Sequence, residues 1–271
     1  MSTPVRMAAV LVVTTGLLLP AACSSESNDD GTAASTTAGQ EPSSEATATT
    51  AVPVIDPGDG GDYAPEVDPA NFVDAIDNPY LPFAVGSRWV YEGESADGRE
   101  RVVVEVTDQT KEIMGITAVV VRDTVHADGV IVEDTFDWFA QDRDGNVWYL
   151  GEDSTSYENG QPAGTEGSWE AGVDGALPGI AMPADPAVGD AYRQEFYEGE
   201  AEDMADVRRT GEALETPAGQ YEDVLVTGEW SPLEPEVVEE KYYAPGVGNI
   251  AAISVAGEPD RLELVSFTAS T

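Results

Sequence analysis

Asp123 and Asp134 lie in an otherwise apolar, β-branched stretch, "VVVRDTVHADGVIVEDTFDWF". Carboxylates in such company call for a cation, an arginine or a shared proton. If the "HADG" turn sets Val125 opposite Val130, alternation puts Asp123, Asp134, Phe136 and Trp138 on one strand face. The two acids then stand as diagonal neighbours about 7 Å apart, and Arg122 and Glu133 pair across the other face. That makes Asp123, Asp134 and Trp138 a candidate ligand-binding set. As a catalytic dyad, the two aspartates would serve a carboxylate-dependent or metal-assisted hydrolase.

A second constellation follows at once. In "QDRDGNVW", Asp142, Asp144 and Asn146 are spaced as a calcium loop spaces its ligands, so they are the candidate metal ligands and calcium the candidate cofactor. An EF-hand loop, however, needs glycine at its sixth position and glutamate at its twelfth, and here those places hold Val147 and Asp153. A type I turn from Asp142 with a left-handed Gly145, the geometry of a G1 bulge, accounts for the same residues by folding alone.

Other chemistry has fewer materials. His126, the chain's one histidine, falls in an expected turn, and neither a nucleophile elbow nor a phosphate-binding Gly-Lys loop is present. Residues 167–190 are too rich in Gly and Pro for a regular strand. They form either a lid, with Trp169 and Met182 as ligand contacts, or a plug for a barrel end. "EFYEGEAEDMADV" carries six acids in thirteen residues and reads as a loose calcium collector or a solvated charged hairpin.

The elements that must position these residues are strands. "RVVVEV", "TAVVVRDTV", "VIVEDTFDWF", "VWYL", "YEDVLVTGEW", "VVEEKYY", "NIAAISV" and "RLELVSF" are short, β-branched or aromatic, and bounded by Gly, Asp, Asn and Pro. The expected fold is all-β: an antiparallel meander curled into a half-barrel or a barrel-like sheet. An internal repeat at an offset of 103 or 104 residues sets Val85, Gly86 and Trp89 against Val188, Gly189 and Tyr192, and Trp138 to Ala140 against Tyr242 to Ala244. Two multi-strand units, about 85–152 and 188–258, joined by a loop at 153–187, are therefore expected. On that alignment Asp123 and Asp134 become Thr227 and Val238.

The ends of the chain give an address. Residues 1–22 read as a secretory signal: Arg6, an apolar run from Met7 to Leu19, then small residues. Directly after "LLLPAA" comes Cys23, the only cysteine, which excludes a disulfide within the chain. This stretch resembles the type II signal peptide of bacterial lipoproteins, although Pro20 stands where leucine is usual. The resemblance implies cleavage before Cys23, its modification with diacylglycerol and palmitate, and anchorage at the extracytoplasmic face of a membrane. Residues 23–70 begin with this cysteine and continue as a Ser/Thr/Ala-rich acidic tether too poor in bulky apolar residues to fold. Its roughly 45 residues span a few nanometres. The β domain occupies 71–271.

With 52 acidic and 12 basic residues the net charge is −40, which repels phosphate backbones and excludes nucleic acid as a partner. The stretches "YLPFAVGSRWVYEG", "TPAGQYEDV" and "KYYAPGVGNI" resemble a pattern in uncharacterised secreted bacterial β domains over residues 78–256, a resemblance that carries no activity with it. The reading favoured by the sequence is a noncatalytic ligand-binding or envelope-assembly module whose curved sheet offers an apolar concavity to a lipid-like or peptide ligand, with an apolar small ligand or an envelope protein as the expected partner. The alternatives are the hydrolase above and a scaffold for another envelope protein.

Overall fold

A computed structural model describes residues 63–95, 98–257 and 259–270. After a 3-10 turn at Pro69–Asn71 the chain forms strands β1 (Phe72–Val73), β2 (Arg88–Ser95), β3 (Gly98–Ile113), β4 (Ile116–Ala127), β5 (Val130–Asp142), β6 (Val147–Glu158), β7 (Gln161–Gly164), β8 (Trp169–Glu170) and β9 (Leu177–Met182). There follow β10 (Ala191–Arg193), β11 (Glu195–Phe196), β12 (Met204–Thr216), β13 (Gly219–Trp230), β14 (Val238–Ala244), β15 (Gly248–Ala256) and β16 (Arg261–Thr268). Among the described residues no helix is long and apolar enough to cross a membrane.

Two antiparallel meanders make the sheet. β2 to β6 pair in sequence order and continue to β9, β12 to β16 do the same, and β16 pairs with β2 to join them. The remaining edges approach each other through one short segment: Ala191–Arg193 pairs with β12, and Glu195–Phe196 pairs with β9. The all-β sheet is thus a nearly closed barrel with one unsealed seam. Leu177–Met182 is a barrel strand, so the loop expected at 153–187 is corrected. Gly179 explains how a Gly-rich stretch serves there: a Cβ at this position would collide with the backbone of Gln194 and Glu195 where the chain changes edges.

Alternation sends Trp89 and Tyr91 of β2, Val102, Val104 and Val106 of β3, and Phe139 of β5 into the barrel, all nearly fully buried. Phe83, Phe139, Tyr149 and Trp169 continue as a chain of ring contacts with centroids 4.8 to 5.2 Å apart. Each such side chain contributes about 1.5–3 kcal/mol by leaving water.

The same backbone bonds recur in both meanders. Gly86 N donates to Val106 O at 2.8 Å and Gly189 N to Val207 O at 3.0 Å; Val106 N returns to Ser87 O, and Val207 N to Asp190 O. Both glycines hold a left-handed φ, +90° and +98°, that a side chain would strain. From these anchors the ladders run Val106↔Val121↔Asp137 in the first meander and Val207↔Thr227↔Lys241 in the second. One step along lie Val104↔Asp123↔Thr135 and Ala205↔Glu229↔Glu239. Asp123 therefore corresponds in space to Glu229, not Thr227. The strand pairing shifts at several points in β12 and β13, and a gapless alignment misses those shifts.

Candidate functional site

The turn between β4 and β5 decides which acids meet. Asp128 and Gly129 both have positive φ, +49° and +80°, and form a two-residue hairpin turn that opposes Ala127 to Val130. Pairing then shifts, His126 facing Ile131 and Val125 facing Glu133, so Val132 is the extra residue of a bulge. A bulge reverses the parity of everything beyond it. Asp123 faces inward opposite Thr135, whereas Asp134 faces outward opposite Thr124. Arg122 grips Asp134 with Nε–Oδ1 at 2.7 Å and Nη2–Oδ2 at 2.9 Å. The sheet thus separates the expected dyad, and Glu133 takes the inward place.

Trp138 is also on the outer side, capped by Lys111 Nζ at 3.1 Å from its ring centroid, with Lys111 held by Glu170 at 2.7 Å. Trp169 and Met182 are buried: Trp169 sits opposite Glu152, and Met182 opposite Val147. Asp142 serves its own hairpin, accepting from Asn146 N, Asn146 Nδ2 and Trp148 Nε1, each at 2.9 Å. Gly145, at φ +100°, donates its N–H to Asp142 O, Asn146 Oδ1 accepts from Ala184 N, and Asp144 is exposed. Cys23 lies outside the described residues.

What the fold brings together instead is a buried set of carboxyls. Asp137 and Glu152 are direct cross-strand partners on β5 and β6, 1% and 2% exposed. The Tyr149 hydroxyl stands 3.0 Å from Asp137 Oδ1 and 3.0 Å from Glu152 Oε2. A phenol has one proton to give, so both contacts are hydrogen bonds only when one carboxyl is itself protonated. Trp169 Nε1 donates to Glu195 Oε2 at 2.8 Å, bringing in β11, and Asp203, just before β12, adjoins Glu195. Asp137, Glu152, Glu195 and Asp203 each keep one buried oxygen with no hydrogen-bond partner.

Burial, the largest cause, pushes Asp137 and Asp203 up to about 7. Burial and then Asp137 raise Glu152 well above the ordinary carboxylic range; burial and then Asp203 do the same to Glu195. Asp123 is raised by burial and then by Asp137.

The second meander solves the same problem with a cation. Lys241, 1% exposed, meets Glu229 at 2.7 Å and Glu239 at 3.9 Å. Glu229 Oε1 also accepts from Thr227 at 2.9 Å and Tyr243 at 3.1 Å.

Sequence reasoning missed this cluster. The bulge reverses the expected face of Asp137, and Glu195 and Asp203, expected in a loose calcium collector or a solvated hairpin, are 1% and 2% exposed. The largely apolar interior therefore carries a patch of buried acids. One signal was available: inward parity from Phe139 backwards selects Asp137, Thr135 and Glu133 without crossing the bulge.

No protein-family model and no curated protein matches the chain. Two solved structures are similar to it. One, from Bacteroides fragilis, is described as a "putative exported protein with YmcC-like fold": 18% identity, 70% of this chain and 99% of that one covered, TM-score 0.41. The other is a "putative lipoprotein" from Parabacteroides distasonis: 15% identity, 72% and 100% covered, TM-score 0.38.

Proposed function

We propose that this chain is a noncatalytic binding module held at the extracytoplasmic face of a bacterial membrane by an acylated Cys23. The acidic tether carries the barrel clear of the lipid, and the barrel consists of two copies of one multi-strand unit. Its ligand is a cation with N–H donors, an ammonium or guanidinium group, taken up at the seam end of the interior.

The observation that carries this reading is the set of four buried carboxyls, Asp137, Glu152, Glu195 and Asp203, each with one oxygen lacking a partner. Lys241, the ammonium in that interior, is already engaged by Glu229. Separate N–H groups can each meet one carboxylate oxygen. A metal ion needs several donors converging on one point, and among the described residues no three acid, histidine or cysteine side chains are so grouped. An apolar ligand would leave those oxygens without donors, at a cost of about 1–3 kcal/mol each. The hydrolase alternative loses its dyad, because Asp123 and Asp134 lie on opposite faces.

Native mass spectrometry of the full chain isolated from a bacterial envelope, set against its denatured mass, tests the reading. The expected result is an acyl increment on Cys23, lost in Cys23→Ser together with membrane attachment, and either a bound basic compound or uptake of added spermidine. A chain that carries no such mass and leaves millimolar spermidine unbound refutes the ligand class. Continued membrane attachment of Cys23→Ser refutes the anchor.

A further inference from the structure

The barrel is closed most thinly where its acids are densest. β11 has two residues, and they pair with β9 as Glu195↔Pro178 and Phe196↔Leu177. Pro178 has no N–H to give to that ladder. The N–H groups of Gln194 and Glu195 turn the other way, toward Asp203 O at 2.8 and 3.4 Å. Side chains do much of the joining. Tyr63 OH donates to Pro178 O at 2.7 Å, its ring meets Phe196 at 5.6 Å, and the Arg193 guanidinium lies 4.6 Å from the Phe196 ring centroid. Glu195 itself is fastened inward by Trp169.

We propose that this seam is a proton-operated gate: protons held on Asp137, Glu152, Glu195 and Asp203 keep β11 on β9, and loss of those protons drives the two strands apart. The gate rests on the same four carboxyls as the cation reading and supplies the entrance that reading needs. Glu195 is the moving part, because it alone of the four stands on the two-residue strand. Its repulsion from Asp203, Asp137 and Glu152 acts on a strand that pairs through two residues only.

Few charges oppose that repulsion. Glu133 on β5, Asp123 on β4, and Glu229 and Glu234 from β13 and the turn after it add negative charge around the same groups. Tyr149 offers one proton between two carboxyls. Of the cations, Lys241 on β14 is held by Glu229 and offsets only part of the repulsion at Glu195 and Asp203, and the Arg193 guanidinium on β10 lies over the rings of Phe196 and Tyr63. Since burial moves Asp137 and Asp203 up to about 7 and the two glutamates higher than usual, the protons stay below neutral pH and leave above it. The gate is shut in acid and opens as pH rises.

Hydrogen exchange on the full chain, corrected for the intrinsic effect of pH and with no ligand added, reads the gate directly. Protection in residues 177–182 and 194–197, relative to that in β3 and β4, is expected to fall roughly tenfold per pH unit above 7 for each linked proton. Glu152→Gln and Asp203→Asn, which keep shape but not charge, should each flatten that slope. A ratio that stays constant from pH 5.5 to 8.5 overturns the gate, as does parallel loss of protection in both regions. Because no ligand is used, failure of the gate and failure of the cation reading register separately.

Discussion

The two meanders place acids at matching points of the same ladder and neutralise them differently. In the second, Glu229 meets Lys241 and the hydroxyls of Thr227 and Tyr243. In the first, the position of Lys241 is taken by Asp137, and beside it Glu152 stands across from the acid where Ala252 stands across from the lysine. One half thus centres on a buried ion pair, while Asp137 and Glu152 of the other face each other with no cation between them. A common backbone fixes where charge is buried but leaves open how it is balanced. The half balanced by protons lies beside the seam.

The largest effect should come from breaking the ion pair. Lys241→Met strands Glu229 in the interior, and urea unfolding should report a loss of about 3–5 kcal/mol, with partial recovery when Glu229→Gln is added. A loss below about 1 kcal/mol would mean that the second half does not depend on its ion pair, and the contrast between the halves would vanish.

The pH profile should come next. The buried carboxyls Asp137 and Asp203, and Glu239 beside Lys241, have raised affinities for protons, so from pH 4 to about 7 the folded state binds more protons than the unfolded one. Their contribution to stability is complete below the ordinary carboxylic range and falls as pH rises toward 7, at up to about 1.4 kcal/mol per pH unit for each group. Glu240 acts in the opposite sense: hydrogen bonding from Arg209 lowers it to about 2, so its contribution is present above about 4.5 and lost as pH falls toward 2. Unfolding free energy measured from pH 3 to 8 should therefore peak on the acid side, near pH 4 to 5. Glu152→Gln should reduce the decline above that peak. A stability that rises steadily to pH 8 would place the four carboxyls in their ionised form throughout and remove the contrast.

The smallest effect is expected on the outside of the same strands. Asp134→Ala removes the partner of Arg122, whose side chain is 41% exposed, so calorimetry should find a loss below about 1 kcal/mol despite the two-pronged geometry. A larger loss would show that the outer face of β4 and β5, rather than the inner one, carries the critical electrostatics.

Strand content and the glycine turns were legible because each depends on neighbours in sequence. Val, Ile, Thr and aromatic runs favour extended backbone, and Gly86, Gly189 and Gly145 mark places where φ must be positive. The turn from Asp142 to Gly145 was legible for the same reason, since it spans four residues. Face assignment across a hairpin was not. It rests on parity, and the single extra residue Val132 turned Asp134 outward and Glu133 inward.

The sequence by itself determined the strands, the anionic character and the signal-like approach to Cys23, since these follow from local propensity, charge and residue order. Tertiary structure alone decided that Leu177–Met182 would serve as a barrel strand, that Glu195 and Asp203 would be buried, and that Asp137 would face Glu152. Those outcomes depend on which distant segments share a ladder. An acidic residue reads the same in a sequence whether it faces water or another acid, and only the closing of the barrel distinguishes the two.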